Sequence, residues 1–242
     1  MRTRVFAWRC LREIMRDPLT LFFGAAFPLI LLLLLSAIQA NIPVSMFEID
    51  VLAPGICVFG QSFLALFTAL MIAKDRSSAL MQRLMASPMR AWEFLAGYIL
   101  PMIPVAVIQS LFCLICGWIL GMDPTGIPLT MLVLLPSALL FIAIGLICGI
   151  MLTDKQVGGI CGALLTNLTA WLSGIWFDVS LVGGVFEKIA NALPFIHAVR
   201  AAQAVCTGNG EAVLPHLAVV AFYAAALLAI GAAAFRKACR RV

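Results

Sequence analysis

The sequence predicts an all-α, polytopic membrane protein with six transmembrane helices. Three observations carry that prediction. Hydrophobic residues make up 64% of the 242-residue chain. Charged residues make up only 11%, where soluble domains carry about a quarter. Six apolar runs approach or exceed the length of roughly twenty residues that a helix needs to cross hydrocarbon. Three further helical features accompany the spans. They are an N-terminal interfacial helix, a short helix in water between spans two and three, and an outer re-entrant helical hairpin between spans five and six.

Residues 1–17 read as a basic amphipathic helix. Arg9, Arg12, Glu13 and Arg16 share one face, and Val5, Trp8, Leu11 and Met15 share another. Such a helix lies in the membrane interface with its cations toward headgroups. Pro18 turns the chain into the six-span domain, 18–242, and the first span covers 19–38. Ala37, Gln39 and Ala40 resemble a signal-peptidase site, but the apolar run is too long for a signal peptide and Glu13 and Asp17 spoil its basic start. The first span is therefore expected to be retained. Spans two to six follow at 51–73, 94–120, 128–152, 157–175 and 214–235. A tight turn at Gly121–Gly126, rich in Gly and Pro, separates spans three and four.

The largest hydrophilic piece in the middle of the chain is Lys74–Pro88, KDRSSALMQRLMASP. Asp75, Ser77 or Ser78 can cap a helix start. Leu80, Met81, Leu84 and Met85 then form one apolar stripe, with Gln82 and Arg83 off it, and Pro88 closes the helix. A helix this short, 77–86, is marginal alone and needs a surface. That surface is either lipid headgroups or a groove on a partner protein.

Residues 176–210 are too polar and interrupted to span, yet too apolar for a free loop. One helix is expected over 180–192, a break at Pro194, and a second over 195–206. A re-entrant hairpin of this kind requires protein or a wet cavity around its broken backbone. Trp176 and Phe177 would sit at the membrane rim, where the hairpin serves either as a lid or as a packing cap.

Charge placement sets the orientation. Fourteen of the sixteen Lys and Arg fall in the N-terminal helix, the 74–90 island, the 153–156 loop or the C-terminal tail, leaving Lys188 and Arg200 opposite. Both termini and the island are thus expected in the cytoplasm, with the chain multi-pass in the plasma (inner) membrane. The basic residues flank apolar runs and form no stripe of their own, so no nucleic-acid partner is expected.

None of the charged side chains lies within the six spans, which disfavours a proton- or ion-coupled pump. There is no G-x-x-x-x-G-K-[ST] sequence, so the chain cannot cradle ATP by that loop. The catalytic and metal sets are empty: His197 and His216 are the only histidines, both in or beside the outer region, and no ligand spacing occurs. Cys113 and Cys116 form a C-x-x-C, but within the apolar run SLFCLICGWIL. Helix packing is one use of that pair; intramembrane thiol redox chemistry is the other, and it would need a wet, electropositive setting. The neutral polar residues within spans either hydrogen-bond between helices or line a pathway. Gln61, Phe63, Phe67, Asn167 and Trp171 are the pathway candidates, a mix of weak polarity and aromatic surface suited to an amphipathic or bulky substrate.

Two stretches resemble the membrane subunits of type-2 ATP-binding-cassette (ABC) exporters. In Leu52–Pro101, Asp75, Leu80, Leu84, Ser87, Pro88 and Gly97 fit the family pattern of second span, short helix and third-span start, while Ser78 stands where Gly is common. In Trp171–Val205, the Ser173-Gly174 ending and the Leu193-Pro194-Phe195 turn fit as well. The resemblance implies an ABC permease subunit that exports its substrate, a drug, lipid, peptide or glycolipid. It implies a dimer with a second permease, identical or paralogous, and a separate ABC ATPase dimer that holds the ATP and Mg. It assigns ATPase coupling to the 77–86 helix, with Asp75, Leu80, Met81, Arg83, Leu84, Met85 and Pro88, and places the pathway near spans two and five. A non-transporting assembly subunit and the thiol enzyme are the competing readings.

Overall fold

The computed structural model describes residues 2–42, 47–78 and 91–239. All regular structure among them is helical. Helix α1 (Arg2–Arg16) precedes α2 (Pro18–Gln39), which contains a π-helical turn at Phe22–Ala26. Then come α3 (Ile49–Ser77), α4 (Ala91–Ile119) and α5 (Ile127–Met151). A continuous helical run, α6, covers 154–172 and is π-helical over Gly158–Leu165. The 176–210 segment, expected on the outer side and called the outer segment below for that reason, holds α7 (Gly184–Ala192) and α8 (Pro194–Cys206), and α9 (Gly210–Cys239) follows.

Five of these helices, α2, α3, α4, α5 and α9, are long and apolar enough to cross a membrane. The fifth of the six expected spans is not among them. Its helical run carries Lys155, Gln156 and Asn167 and three glycines, which lower its hydropathy.

Turn chemistry explains where the helices begin. The Asp17 carboxylate accepts from the Leu19 N–H at 3.1 Å and Pro18 occupies the first turn, so α2 starts at the Asp-Pro step. Asp123 and Asp178 likewise cap short 3-10 turns, through Thr125 N–H at 2.9 Å and Ser180 N–H at 3.0 Å. These backbone bonds hold both carboxyls below the ordinary carboxylate range. Gly183 and Gly184 adopt φ of 64° and 60°, the left-handed region that leads into α7.

Helix α3 is the axis of the fold. It packs against α5, α4, α8 and α2. The approach to α5 is close because both surfaces are small there. A Cβ at Gly145 would lie 2.5 Å from the Ala65 carbonyl oxygen, and one at Gly149 would lie 2.8 Å from that of Ala69. Gly145-x-x-x-Gly149 on α5 thus faces Ala65-x-x-x-Ala69 on α3, the small-residue register by which membrane helices bring their backbones together. On another side, Phe63 of α3 stacks on Phe23 and meets Phe27 edge-on, with centroids 5.5 and 5.8 Å apart.

The outer segment is folded onto this bundle. Helix α8 packs on α3, α5 and α9, and its Pro194, Phe195, Ile196 and Val199 are buried. Trp176 meets Phe59 of α3 edge-on at 5.8 Å, and Phe177 stacks on Phe186 within the segment. His197 and His216 share a hydrogen bond of 2.8 Å between their Nδ1 atoms, tying α8 to α9.

Candidate functional site

The Lys74–Ser77 end of α3 is tied to three other helices within one turn. Lys74 pairs with Glu13 of α1 at 3.2 Å. Asp75, one residue on, receives a fork from Arg9 of α1: Nη1 to Oδ2 at 2.9 Å and Nη2 to Oδ1 at 2.8 Å. The Tyr98 hydroxyl of α4 donates to Asp75 Oδ2 at 2.9 Å. Arg76 donates to the carbonyls of Gly149 at 2.8 Å and Leu152 at 3.4 Å, groups that the end of α5 leaves free.

Helix α1 reaches this position because it has a third face that the two-face reading does not show. Phe6, Cys10 and Ile14, spaced four apart, are buried, and α1 packs against α4. Phe6 meets the rings of Phe94 and Tyr98 edge-on at 6.0 and 5.0 Å. Burial pushes the Cys10 thiol up to about 12, so it stays a packing group. With that face inward, Arg9 points to Asp75, while Val5, Trp8 and Met15 remain exposed. Arg9 is held further above its already high ordinary value, first by its hydrogen bond to Asp75, with burial opposing. A bidentate guanidinium–carboxylate pair of this kind is directional as well as strong. Asp75 is only 2% exposed, and without such a partner its charge would be costly.

This arrangement revises the local expectation around Asp75. Residues 74–77 are the last turn of α3, and Asp75 is a buried anchor within it, whereas a helix cap would need Asp75 to precede the helix. Ser78 is extended, and its hydroxyl bonds back to the Asp75 carbonyl at 2.9 Å. The remaining coupling candidates, Leu80, Met81, Arg83, Leu84, Met85 and Pro88, lie outside the described residues, immediately beyond this anchored end.

The pathway candidates occupy three different settings. Gln61 is buried where α3, α4 and α5 meet. Its Nε2 donates to Ser110 Oγ at 3.1 Å and to the Leu134 carbonyl at 3.2 Å, and its Oε1 accepts a short bond from Ser137. That is interhelical bonding. Phe63 and Phe67 of α3 are buried, with Phe63 packed against Phe23 of α2 and Phe67 stacked on Phe63 at 6.4 Å. Asn167 and Trp171 are exposed on α6, four residues apart. With Ile160 and Leu164 they form one outward stripe, and Asn167 Nδ2 is satisfied locally by the Ala163 carbonyl at 2.8 Å. Trp176, Phe177 and Pro194 belong to the outer segment already described. Cys113 is fully buried and Cys116 partly so, both as free thiols. No group of three or more His, Cys, Asp or Glu that could hold a metal occurs among the described residues.

Three contacts go beyond the sequence reading: the Arg9–Asp75–Tyr98 node, the Arg76 cap on α5, and the Gly145/Gly149 seam. The first and last did leave signals there. These were an apolar spacing of four in α1 and a G-x-x-x-G in an apolar run. No curated protein matches the chain. A profile of the ABC-2 type transporter family matches residues 1–206, most of the chain and the whole of the anchored node. The chain belongs to the ABC-2 type transporter family and is a multi-pass membrane permease component of an ABC transporter.

Proposed function

We propose that this permease exports an amphipathic or bulky substrate across the plasma membrane, driven by a separate dimeric ABC ATPase that binds ATP and Mg. The supporting observation is the anchored inner end of α3. Lys74, Asp75 and Arg76 join α3 to α1, α4 and α5 at the point where the chain leaves for residues 79–90. A push delivered to that segment through Leu80, Leu84 and Met85 would reach four helices as one load. The load would then tilt α3, the most enclosed helix, and change which side the transport cavity faces. Arg83 is suited to pair with an acid on the motor.

In this reading α6 completes a sixth crossing, so that both termini are cytoplasmic. Its outward stripe of Ile160, Leu164, Asn167 and Trp171 meets a second permease, identical or paralogous. The pathway lies between the two copies, with Asn167 and Trp171 at its wall. Gln61 and the Phe63 and Phe67 rings support that wall from behind. The outer segment, with Trp176, Phe177 and Pro194, covers the exit.

Co-purification is the test. Affinity capture of the tagged chain from native membranes is expected to bring down a nucleotide-hydrolysing subunit, and vesicles of the complex should transport only with ATP. Transport by the chain with no such companion would refute the proposal. Thiol labelling separates the enzyme alternative, since export requires no reactive Cys113 or Cys116.

A further inference from the structure

Between α1, the inner end of α3 and the start of α6 lies an open cleft of about 940 Å³. Its floor is apolar: Leu70 of α3 is half-buried there, and Phe67 and Met71 of α3 and Ile14 of α1 show only a small part of their surface. Its rim is charged, with Arg9, Arg12, Glu13, Arg16, Asp17, Lys74 and Asp154. Phe67 and Lys74 are separated by seven residues of helix, roughly 10 Å along the axis. That is the depth over which a bilayer passes from headgroup to upper acyl chain.

Most of the rim charges have protein partners. Arg9 holds Asp75 and Glu13, Lys74 holds Glu13, and Asp17 caps α2 and accepts from the Thr20 hydroxyl. Three are left without an ion pair among the described residues: Arg12, Arg16 and Asp154. Arg12 and Arg16 lie on one stripe of α1 with Trp8, spaced by four, and Arg12 sits over the Trp8 ring at 5.4 Å. Asp154, in the first turn of α6, lines the same cleft. Two guanidinium groups and one carboxylate around an apolar floor are complementary to one particular amphiphile. It has a phosphate, a cationic amine beside it, and hydrocarbon below.

We propose that the cleft binds an aminophospholipid of the cytoplasmic leaflet. Its phosphate meets Arg12 and Arg16, its ammonium meets Asp154, and an acyl chain lies along Phe67, Leu70 and Met71. Guanidinium recognises phosphate by paired N–H donors, and a primary ammonium donates to carboxylate in a way that a quaternary one cannot. The leaflet follows from the cytoplasmic placing of α1 in the reading above, but binding needs neither ATPase nor transport.

The test uses the full chain with Trp8 as its only tryptophan, the other four being replaced by Phe, in phosphatidylcholine nanodiscs. Acyl-brominated phosphatidylethanolamine, phosphatidylglycerol and phosphatidylcholine are titrated against Trp8 fluorescence. Phosphatidylethanolamine should half-quench at about fivefold lower mole fraction than phosphatidylcholine, the worth of a good exposed ion pair. Arg12→Gln with Arg16→Gln should abolish that preference. The Arg12→Lys, Arg16→Lys pair, which keeps the charge, should retain part of it and show that the helix is still docked. Asp154→Asn should reduce phosphatidylethanolamine to the level of phosphatidylglycerol. Equal quenching by all three lipids, or an Asp154→Asn profile like the parent, would overturn the proposal. Displacement by equimolar soluble glycerophosphoethanolamine would make the free headgroup the ligand and overturn the leaflet assignment.

Discussion

Helix α3 and helices α2 and α9 are all candidate membrane spans, but their surroundings are opposite. In its most apolar window α3 is 89% buried, whereas the corresponding windows of α2 and α9 are each 17% buried. Length and apolarity make all three able to cross a membrane, but they do not decide what a helix faces. Small and polar residues do. The interior of α3 carries Gln61, Ser62 and Thr68, all buried, and the Ala65 and Ala69 positions that admit α5. Few residues of α2 and α9 are buried, and these helices need only be apolar. The enclosed helix is also the one whose Lys74–Ser77 end is fastened by charge. Packing and fastening together make α3 a single stiff member.

The contrast can be broken most severely at its seam. Gly145→Val places branched carbon against the Ala65 backbone and should force α3 and α5 apart. It is expected to cost about 3 kcal/mol, the upper range for overpacking. The same change at Gly162, which faces only the flexible Leu66 side chain, should be much milder. Thermal unfolding of the purified variants, followed by size-exclusion chromatography, separates the two. Next is the fastening. Asp75→Ala takes their common partner from the Arg9 guanidinium and the Tyr98 hydroxyl, while Arg9 keeps Glu13 and part of its exposure; the expected cost is about 2 kcal/mol, the scale of hydrogen bonds to a charged group. Its particular signature is release of α1, read as faster proteolysis near Arg12, and Asp75→Asn should show less of it. Smallest is the interior node, where Gln61→Leu should cost about 1 kcal/mol, the scale of one interhelical hydrogen bond.

Much of this architecture was legible in the sequence, for a physical reason. Hydrocarbon demands long apolar helices, so the runs that became α2, α3, α4, α5 and α9 stand out by composition alone. Two ends lie beyond the apolar runs, because the charged last turn of α3 and the capped first turn of α2 still belong to their helices. The run that became α6 reads as a plain span, yet it is π-helical over Gly158–Leu165, and its glycines, Lys155 and Asn167 make it less apolar. The site was less legible. Charge spacing marked Arg9 and Asp75 separately, one for headgroups and the other for a cap. That they meet depends on α1 folding back across α4, a contact between residues 66 positions apart. Gln61 and Phe63 were two positions apart in one helix, and only the packing separates the first into an interhelical node and the second into an aromatic stack.

The central claim is that force enters just beyond Ser78 and travels along α3. The most direct measurement is transport and ATP hydrolysis together, in vesicles holding the permease with its ATPase, for the parent and for Leu84→Asp. The account predicts that transport is lost while the variant remains inserted, with thermal stability within about 0.5 kcal/mol of the parent as for an ordinary surface change. Undiminished transport per ATP hydrolysed in Leu84→Asp would contradict it.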